Sequence, residues 1–391
     1  MSSMSSYISG VVQELPPSGI RKFFDLVTQT EGVISLGVGE PDFVTPWHVR
    51  EACFYSLEKG YTMYTSNLGL PELREEIAAY EKRKIGVSYS PADEILVTVG
   101  VSEAVDLALR ALIEPGDEVL VPEPSYVSYA PGTKLVYGKP VPLLTYDADE
   151  YRLRPDILEK AITPRSKVLI LPFPNNPTGG IMKAEDLQAL VDIIIKNDLI
   201  VLSDEIYAEL TYEGEHVSIA SFPGMRDRTI VFNGFSKAFA MTGWRIGYAC
   251  GHPDIINAMN KIHQYTIMCA PIMAQMAAIE ALRHGEGEMR KMVDNYNYRR
   301  KLMLNGFTQI GLSCFEPRGA FYCFPSIKNS GMNSEDFCEK LLKEEKVAVV
   351  PGNAFGNCGE GYIRCCYAAS VGNIEEAIER MGHFLARHRK G

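Results

Sequence analysis

Hydrophobic positions in the middle of this chain come in short, unbroken runs. The stretches 94–99 (E-I-L-V-T-V), 118–121 (E-V-L-V), 167–171 (K-V-L-I-L), 199–203 (L-I-V-L-S) and 229–232 (T-I-V-F) are almost continuously apolar. An alternating run would leave one face wet, so these runs predict strands buried on both faces of a mainly parallel sheet. Helical patterns lie between and after them, at 102–112, 184–197 and 271–281. This alternation of strand and helix predicts a three-layer α/β/α domain. In such a domain ligands sit beyond the carboxyl ends of the strands.

The C-terminal part reads differently. A charged helical stretch at 286–304 carries Arg299, Arg300 and Lys301 and leads to a second lobe. Short strands at 319–324, 347–350 and 361–366, followed by an amphipathic helix at 373–387, predict a smaller α+β unit there. Residues 1–40 are expected to pack on it.

Composition narrows the function classes. The chain has 391 residues, enough for more than one lobe, and is 46% hydrophobic and 23% charged, as a soluble globular protein is. A net charge of −10 disfavours nucleic acid and anionic membranes as partners. No apolar stretch is long enough to span a bilayer, and the start, M-S-S-M-S-S-Y-I-S-G, has no basic region followed by an apolar one. The nine cysteines form no C-x-x-C motif, which suits a reducing, cytoplasmic location. The seven histidines show no H-E-x-x-H or other metal spacing, so no metal is expected.

Candidate chemistry concentrates in 233–248, N-G-F-S-K-A-F-A-M-T-G-W-R-I-G-Y, directly after the run at 229–232. Lys237 lies among apolar and small residues. Such surroundings strip water from an ammonium and lower its pKa, leaving an amine able to form a Schiff base. Ser236 and Arg245 suit a phosphate. The segment therefore suggests a lysine holding a phosphorylated aldehyde, as pyridoxal phosphate is held.

Other strand ends carry possible partners. Gly100, Val101 and Ser102 stand where a strand gives way to a helix, a position for either an ordinary N-cap or an anion. Asp204, in S-D-E-I-Y, needs a partner at the end of a buried strand. That partner is a salt bridge, a helix cap or a protonated pyridine nitrogen. Tyr207 could point its hydroxyl at the same ligand. The turn N-N-P-T-G-G at 175–180 follows from its residue types, and Asn176 could also donate to a phenolate oxygen. Tyr126 offers a ring for stacking or for the core. Alternation places Tyr362, Arg364 and Cys366 on one strand face, where Arg364 meets either a structural ion pair or a carboxylate ligand. No G-x-G-x-x-G or G-x-x-x-x-G-K-[ST] motif is present, which disfavours dinucleotides and nucleoside triphosphates.

With these residues in place, the chain resembles the pyridoxal-phosphate-dependent aminotransferases of fold type I, class I/II. The matching stretches are G-V-G-E-P-D-F, Y-T-S-N-L-G-L-P-E-L-R, P-N-N-P-T-G, S-D-E-I-Y, S-K-A-F-A-M-T-G-W-R-I-G and G-Y-I-R, in that order along essentially the whole length. It looks most like the aspartate and aromatic aminotransferases of bacteria and archaea.

The resemblance implies a large cofactor domain at 45–280 and a small domain built from 1–44 and 281–391. It implies that Lys237 links to the cofactor aldehyde and shuttles the substrate proton, while Asp204 holds the pyridine nitrogen. Asn176 and Tyr207 would contact the ring oxygen, and Tyr126 would stack on the ring. Val101, Ser102, Ser236 and Arg245 would bind the phosphate. Tyr64 would reach the phosphate of the neighbouring subunit, making a homodimer. Arg364 and Gly39, with Asn176, would take the substrate α-carboxylate. The expected reaction is ping-pong transfer of an amino group from an aromatic amino acid or aspartate to a 2-oxo acid such as 2-oxoglutarate. A carbon–sulfur β-lyase, or transfer from alanine, methionine or a diaminopimelate derivative, is compatible with the same resemblance. Ile20, Arg21 and Tyr64 are candidates for approaching the substrate side chain, with Arg21 a candidate for a distal carboxylate.

Overall fold

The structure is a computed structural model that describes residues 4–16 and 31–388. Ile20 and Arg21 lie outside the described residues. After a short strand β1 (Ile34–Ser35), the chain lays down β2 (Ile95–Thr98), β3 (Glu118–Glu123), β4 (Lys139–Leu144), β5 (Ser166–Leu171), β6 (Ile200–Asp204), β7 (Thr229–Gly234) and β8 (Gly247–Cys250). The last seven form one sheet in the order β2-β8-β7-β6-β5-β3-β4. Neighbours run parallel except around β8, which is antiparallel to both β2 and β7.

Alternate residues of a strand feed different layers, which explains the unbroken apolar runs. Val168 and Ile170 of β5 pack with Leu107 and Met259 from the helices Val101–Leu112 and Pro253–Thr266. Leu169 and Leu171 pack with Leu187, Leu190 and Ile194 from the helix Ala184–Lys196. Both faces of the strand are thus buried by helices.

Two strands of this seven-stranded sheet were not legible in the hydrophobic pattern. β4 reads K-P-V-P-L-L, and two prolines argue against a central strand. It is an edge strand, where a missing N–H costs no ladder bond. β8 is only four residues long and directly follows the stretch that holds the candidate lysine.

The second lobe holds a pair of short strands, β9 (Ser313–Cys314) and β11 (Pro325–Ser326), and a sheet of β10 (Tyr322–Cys323), β14 (Ile363–Cys366) and β13 (Val350–Pro351), all antiparallel. Long helices, Glu286–Ile310 and Val371–His388, pack beside it. β1 pairs in parallel with β12 (Val347–Ala348), and the Cys366 N–H donates to the Leu36 carbonyl at 2.7 Å. Residues 34–37 therefore belong with this lobe. The short helix Gly10–Glu14 instead touches the helix Tyr129–Leu135 beside the large sheet.

Behind the sheet, the helix Pro71–Ile85 buries Glu81 to 1% exposure. Burial pushes its carboxyl up to about 8. The Tyr248 hydroxyl, donating to Oε1 at 2.5 Å, opposes the rise, and neighbouring Glu205 and Glu209 add to it. Oε2 has no hydrogen-bond partner among the described residues. No helix among the described residues is long and apolar enough to cross a membrane.

Candidate active site

The carboxyl ends of the strands gather most of the singled-out residues. β7 runs into the short helix Phe235–Ala238, which carries Ser236 and Lys237. The Lys237 ammonium donates to the Gly39 carbonyl at 2.7 Å and lies 5.8 Å from the Tyr207 ring and 5.7 Å from the Phe321 ring. Burial lowers its pKa from 10.5 to about 8. The cations Arg364 and Arg245 push it the same way, while Cys366 and Glu40 oppose them. A carbonyl and two rings hold the amine without neutralising it, so about a tenth is free base at pH 7, far more than an ordinary lysine offers.

Asp204 is the last residue of β6 and 7% exposed. Burial raises its carboxyl from 3.8 to about 6, and the Tyr129 hydroxyl limits the rise by donating to Oδ2 at 2.8 Å. The Ile206 N–H donates to Oδ1 at 3.2 Å. Two donors thus keep a buried carboxylate ionised at neutral pH, ready for a cation. Tyr129 was not among the residues expected from the sequence. It stands in P-E-P-S-Y-V-S-Y beside Tyr126, and nothing local distinguishes the two tyrosines. Their rings stand edge to face, 5.7 Å apart, with Tyr126 on the accessible side.

A second group forms where β2 meets the helix Val101–Leu112. Gly100 has φ +76°, which favours glycine, and a Cβ there would lie 2.7 Å from Nη2 of Arg245, so the guanidinium rests against this turn. Arg245 itself takes φ +53°, with Nη1 donating to the Thr242 carbonyl at 2.9 Å. Gly234 and Gly247 face each other across β7 and β8. A Cβ on Gly247 would meet the Val101 nitrogen at 2.8 Å, so these glycines let the strand pair close against the helix start. Ser236 and Lys237 come within the next three residues after Gly234. The arrangement puts a guanidinium beside the first N–H groups of a helix, with the Ser236 hydroxyl two residues along the chain from Gly234. That is the donor set of an anion cradle.

Arg364 defines the other end. It lies on β14, only 2% exposed, and donates to Asn176 Oδ1 at 2.9 Å and to the Gly37 carbonyl at 2.6 Å. Its guanidinium lies over the rings of Tyr322, at 4.5 Å, and Phe355, at 4.9 Å. No carboxylate among the described residues pairs with it, and its Nε has no partner among them. The structural ion pair that the sequence allowed for Arg364 is therefore absent among the described residues. Tyr207 and Tyr322 share a hydrogen bond of 2.8 Å. A Cβ on Gly39 would fall 2.5 Å from the Tyr322 hydroxyl, which accounts for glycine there. Tyr322 and Phe355 escape a sequence reading because nothing in their own segments marks them, while Gly37 opens the stretch G-V-G-E-P-D-F without being singled out. Only Arg364 brings them together.

Tyr64 stands apart. It is 79% exposed, unlike the buried residues around Lys237. No group of three or more metal-ligating side chains occurs among the described residues.

The donor set fits pyridoxal phosphate. A cradle of N–H groups, Ser236 and Arg245 suits a dianion, buried Asp204 suits a pyridinium, and the depressed Lys237 amine suits an aldehyde. A guanidinium without a carboxylate partner suits an incoming one.

The family Aminotransferase class I and II matches residues 31–381. The chain is 47% identical to an aspartate aminotransferase of Pyrococcus abyssi (strain GE5 / Orsay), covering 94% of this chain and 96% of that one. It is 44% identical to aromatic-amino-acid aminotransferase 2 of Thermococcus litoralis, covering 97% and 98%. The crystal structure of an aromatic aminotransferase from Pyrococcus horikoshii OT3 superposes with a TM-score of 0.90 at 44% identity, covering 93% of this chain and 99% of that one.

Proposed function

We propose, from the premise that this chain belongs to the class I and II aminotransferases and is a pyridoxal-phosphate-dependent transaminase, that its donors are aromatic amino acids or aspartate and its acceptor a 2-oxo acid such as 2-oxoglutarate. The observation that carries the substrate end is Arg364, a buried guanidinium with no carboxylate partner among the described residues, set between the rings of Tyr322 and Phe355. It would take the α-carboxylate as a planar fork, with Asn176 and the Gly39 region beside it. The aspartate and aromatic aminotransferases among the relatives support an aromatic donor or aspartate over alanine or methionine.

Pyridoxal phosphate, when bound, supplies an aldehyde that links to amines and a ring that takes up the electrons of the broken C–H bond. The residues of the chain do the rest. Val101, Ser102, Ser236 and Arg245 would hold the phosphate. Asp204, kept ionised by Tyr129, would hold the ring N–H, with Asn176 and Tyr207 beside the ring oxygen and Tyr126 against the ring face. Lys237 would release the aldehyde to the substrate amine, then take the α-proton on Nζ and return it one carbon away. Its lowered pKa suits both halves, because the amine must be neutral to accept that proton.

A homodimer is part of the same reading. Trp47, Phe54, Tyr55, Met63, Tyr64 and Tyr265 are exposed apolar side chains, more than a lone soluble surface favours, and a second copy would cover them. Tyr64 would then reach the neighbour's phosphate. A cytoplasmic location fits the absence of a membrane-crossing helix among the described residues.

The test is a donor panel with 2-oxoglutarate, reading glutamate formed. Tyrosine, phenylalanine and aspartate should be the best donors. Faster turnover of alanine or methionine would overturn the substrate proposal. Pyruvate and ammonia released from cystathionine without an acceptor would point to the β-lyase instead. Lys237→Ala should lose both the yellow colour and the activity, and colour that survives dialysis in that variant would refute its covalent role.

A further inference from the structure

The helix that opens the anion cradle has an acidic residue in its first turn. Glu103 is the third residue of Val101–Leu112. A carboxylate there sits beside the N–H groups that favour an anion, so it competes for them and repels a phosphate. The structure directs it elsewhere. Glu103 Oε2 accepts the Val99 N–H at 2.5 Å, and Oε1 lies 2.8 Å from Nδ1 of His263.

His263 is wholly buried on the helix Pro253–Thr266, which packs along Val101–Leu112. Its carbonyl accepts the N–H groups of Ile267 and Met268, fixing the helix end around the ring. The second ring nitrogen, Nε2, has no partner among the described residues. An apolar side chain would fill this position without stranding a nitrogen, so packing does not explain an imidazole. The contact with Glu103 does.

We propose that His263 is a positioning residue for phosphate binding: it holds the Glu103 carboxylate back against Val99 and leaves the Val101 and Ser102 N–H groups to the phosphate. This rests on the reading of Gly100 to Ser102 as part of the phosphate cradle. Without His263 the carboxylate keeps only the Val99 N–H, and its freed oxygen can turn to the helix start. The loss falls on the phosphate alone, since Glu103 and His263 bond to Val99 and to each other and share no hydrogen bond with Asp204 or Tyr207.

The experiment compares the affinity of the apoprotein for pyridoxal 5′-phosphate with its affinity for pyridoxal, which lacks the phosphate. His263→Leu should weaken the phosphorylated ligand about tenfold while leaving pyridoxal nearly unchanged. Adding Glu103→Gln to that variant should restore the preference, because the competing charge is gone. His263→Asn, which keeps a donor near the Nδ1 position, should retain it. Equal losses for both ligands, no rescue by Glu103→Gln, or a tenfold loss in His263→Asn would overturn the proposal. Gly100→Ala separates the two readings. If it leaves the preference intact, the cradle assignment itself fails. If it abolishes the preference while His263→Leu does not, only the role of His263 fails.

Discussion

Glu81→Gln should make this protein more stable, increasingly so as the pH rises. Burial lifts the Glu81 carboxyl from 4.5 to about 8, with Glu205 and Glu209 adding to the rise against the Tyr248 hydrogen bond. Between those two values the folded protein carries a proton that the unfolded chain has released. The unfolded state therefore binds fewer protons, and stability falls as pH rises through that window. Glutamine cannot ionise and keeps an oxygen for the Tyr248 hydroxyl. Other effects of the replacement are constant with pH, so the slope isolates the titration. The stability gap between variant and parent should widen by about 2 kcal/mol from about pH 6 to about pH 8, towards a limit of about 4–5 kcal/mol at high pH. For a chain of 391 residues, the widening corresponds to a melting-temperature gap growing by roughly 2–3 °C. Thermal melts of both proteins across that range provide the measurement. A gap that stays flat, or narrows with pH, would show that Glu81 is ionised in the fold and that its burial is compensated by a partner.

Three further outcomes concern the site. Tyr129→Phe removes a donor from the Asp204 carboxylate, whose pKa then rises further above about 6. The cofactor dissociation constant should increase about tenfold near neutral pH and by less at alkaline pH, where Asp204 ionises regardless. A pH-independent ratio would refute that account. The rate at which the apoprotein captures pyridoxal phosphate covalently should climb through about pH 8 and then level off, because only neutral Lys237 attacks. A rise that continues into the ordinary lysine range would contradict the lowered pKa. Arg364→Lys loses the planar fork that reaches both Asn176 and Gly37, so KM for amino donors should rise about 10- to 100-fold with cofactor affinity nearly unchanged. Donor saturation curves and a cofactor titration, measured together, check this.

The sequence by itself determined what is written locally. Continuous apolar runs announced β3, β5, β6 and β7, because a strand covered by helices on both sides has no wet face to record. Lys237, Ser236 and Arg245 were legible because they share one stretch, and Asp204 because a carboxylate closing an apolar run demands a partner. Proline-rich β4 and short β8 escaped, since an edge position and an antiparallel insertion are properties of the assembled sheet. The tertiary structure alone decided the contacts that give those residues their chemistry. Tyr129 reaches Asp204 across 75 residues, and Arg364 reaches Gly37 across 327. Nothing in the period of a strand or helix encodes such a meeting. It arises when packed layers bring distant strand ends to one edge, where burial strips water from Lys237 and Asp204 and shifts their proton affinities towards neutrality.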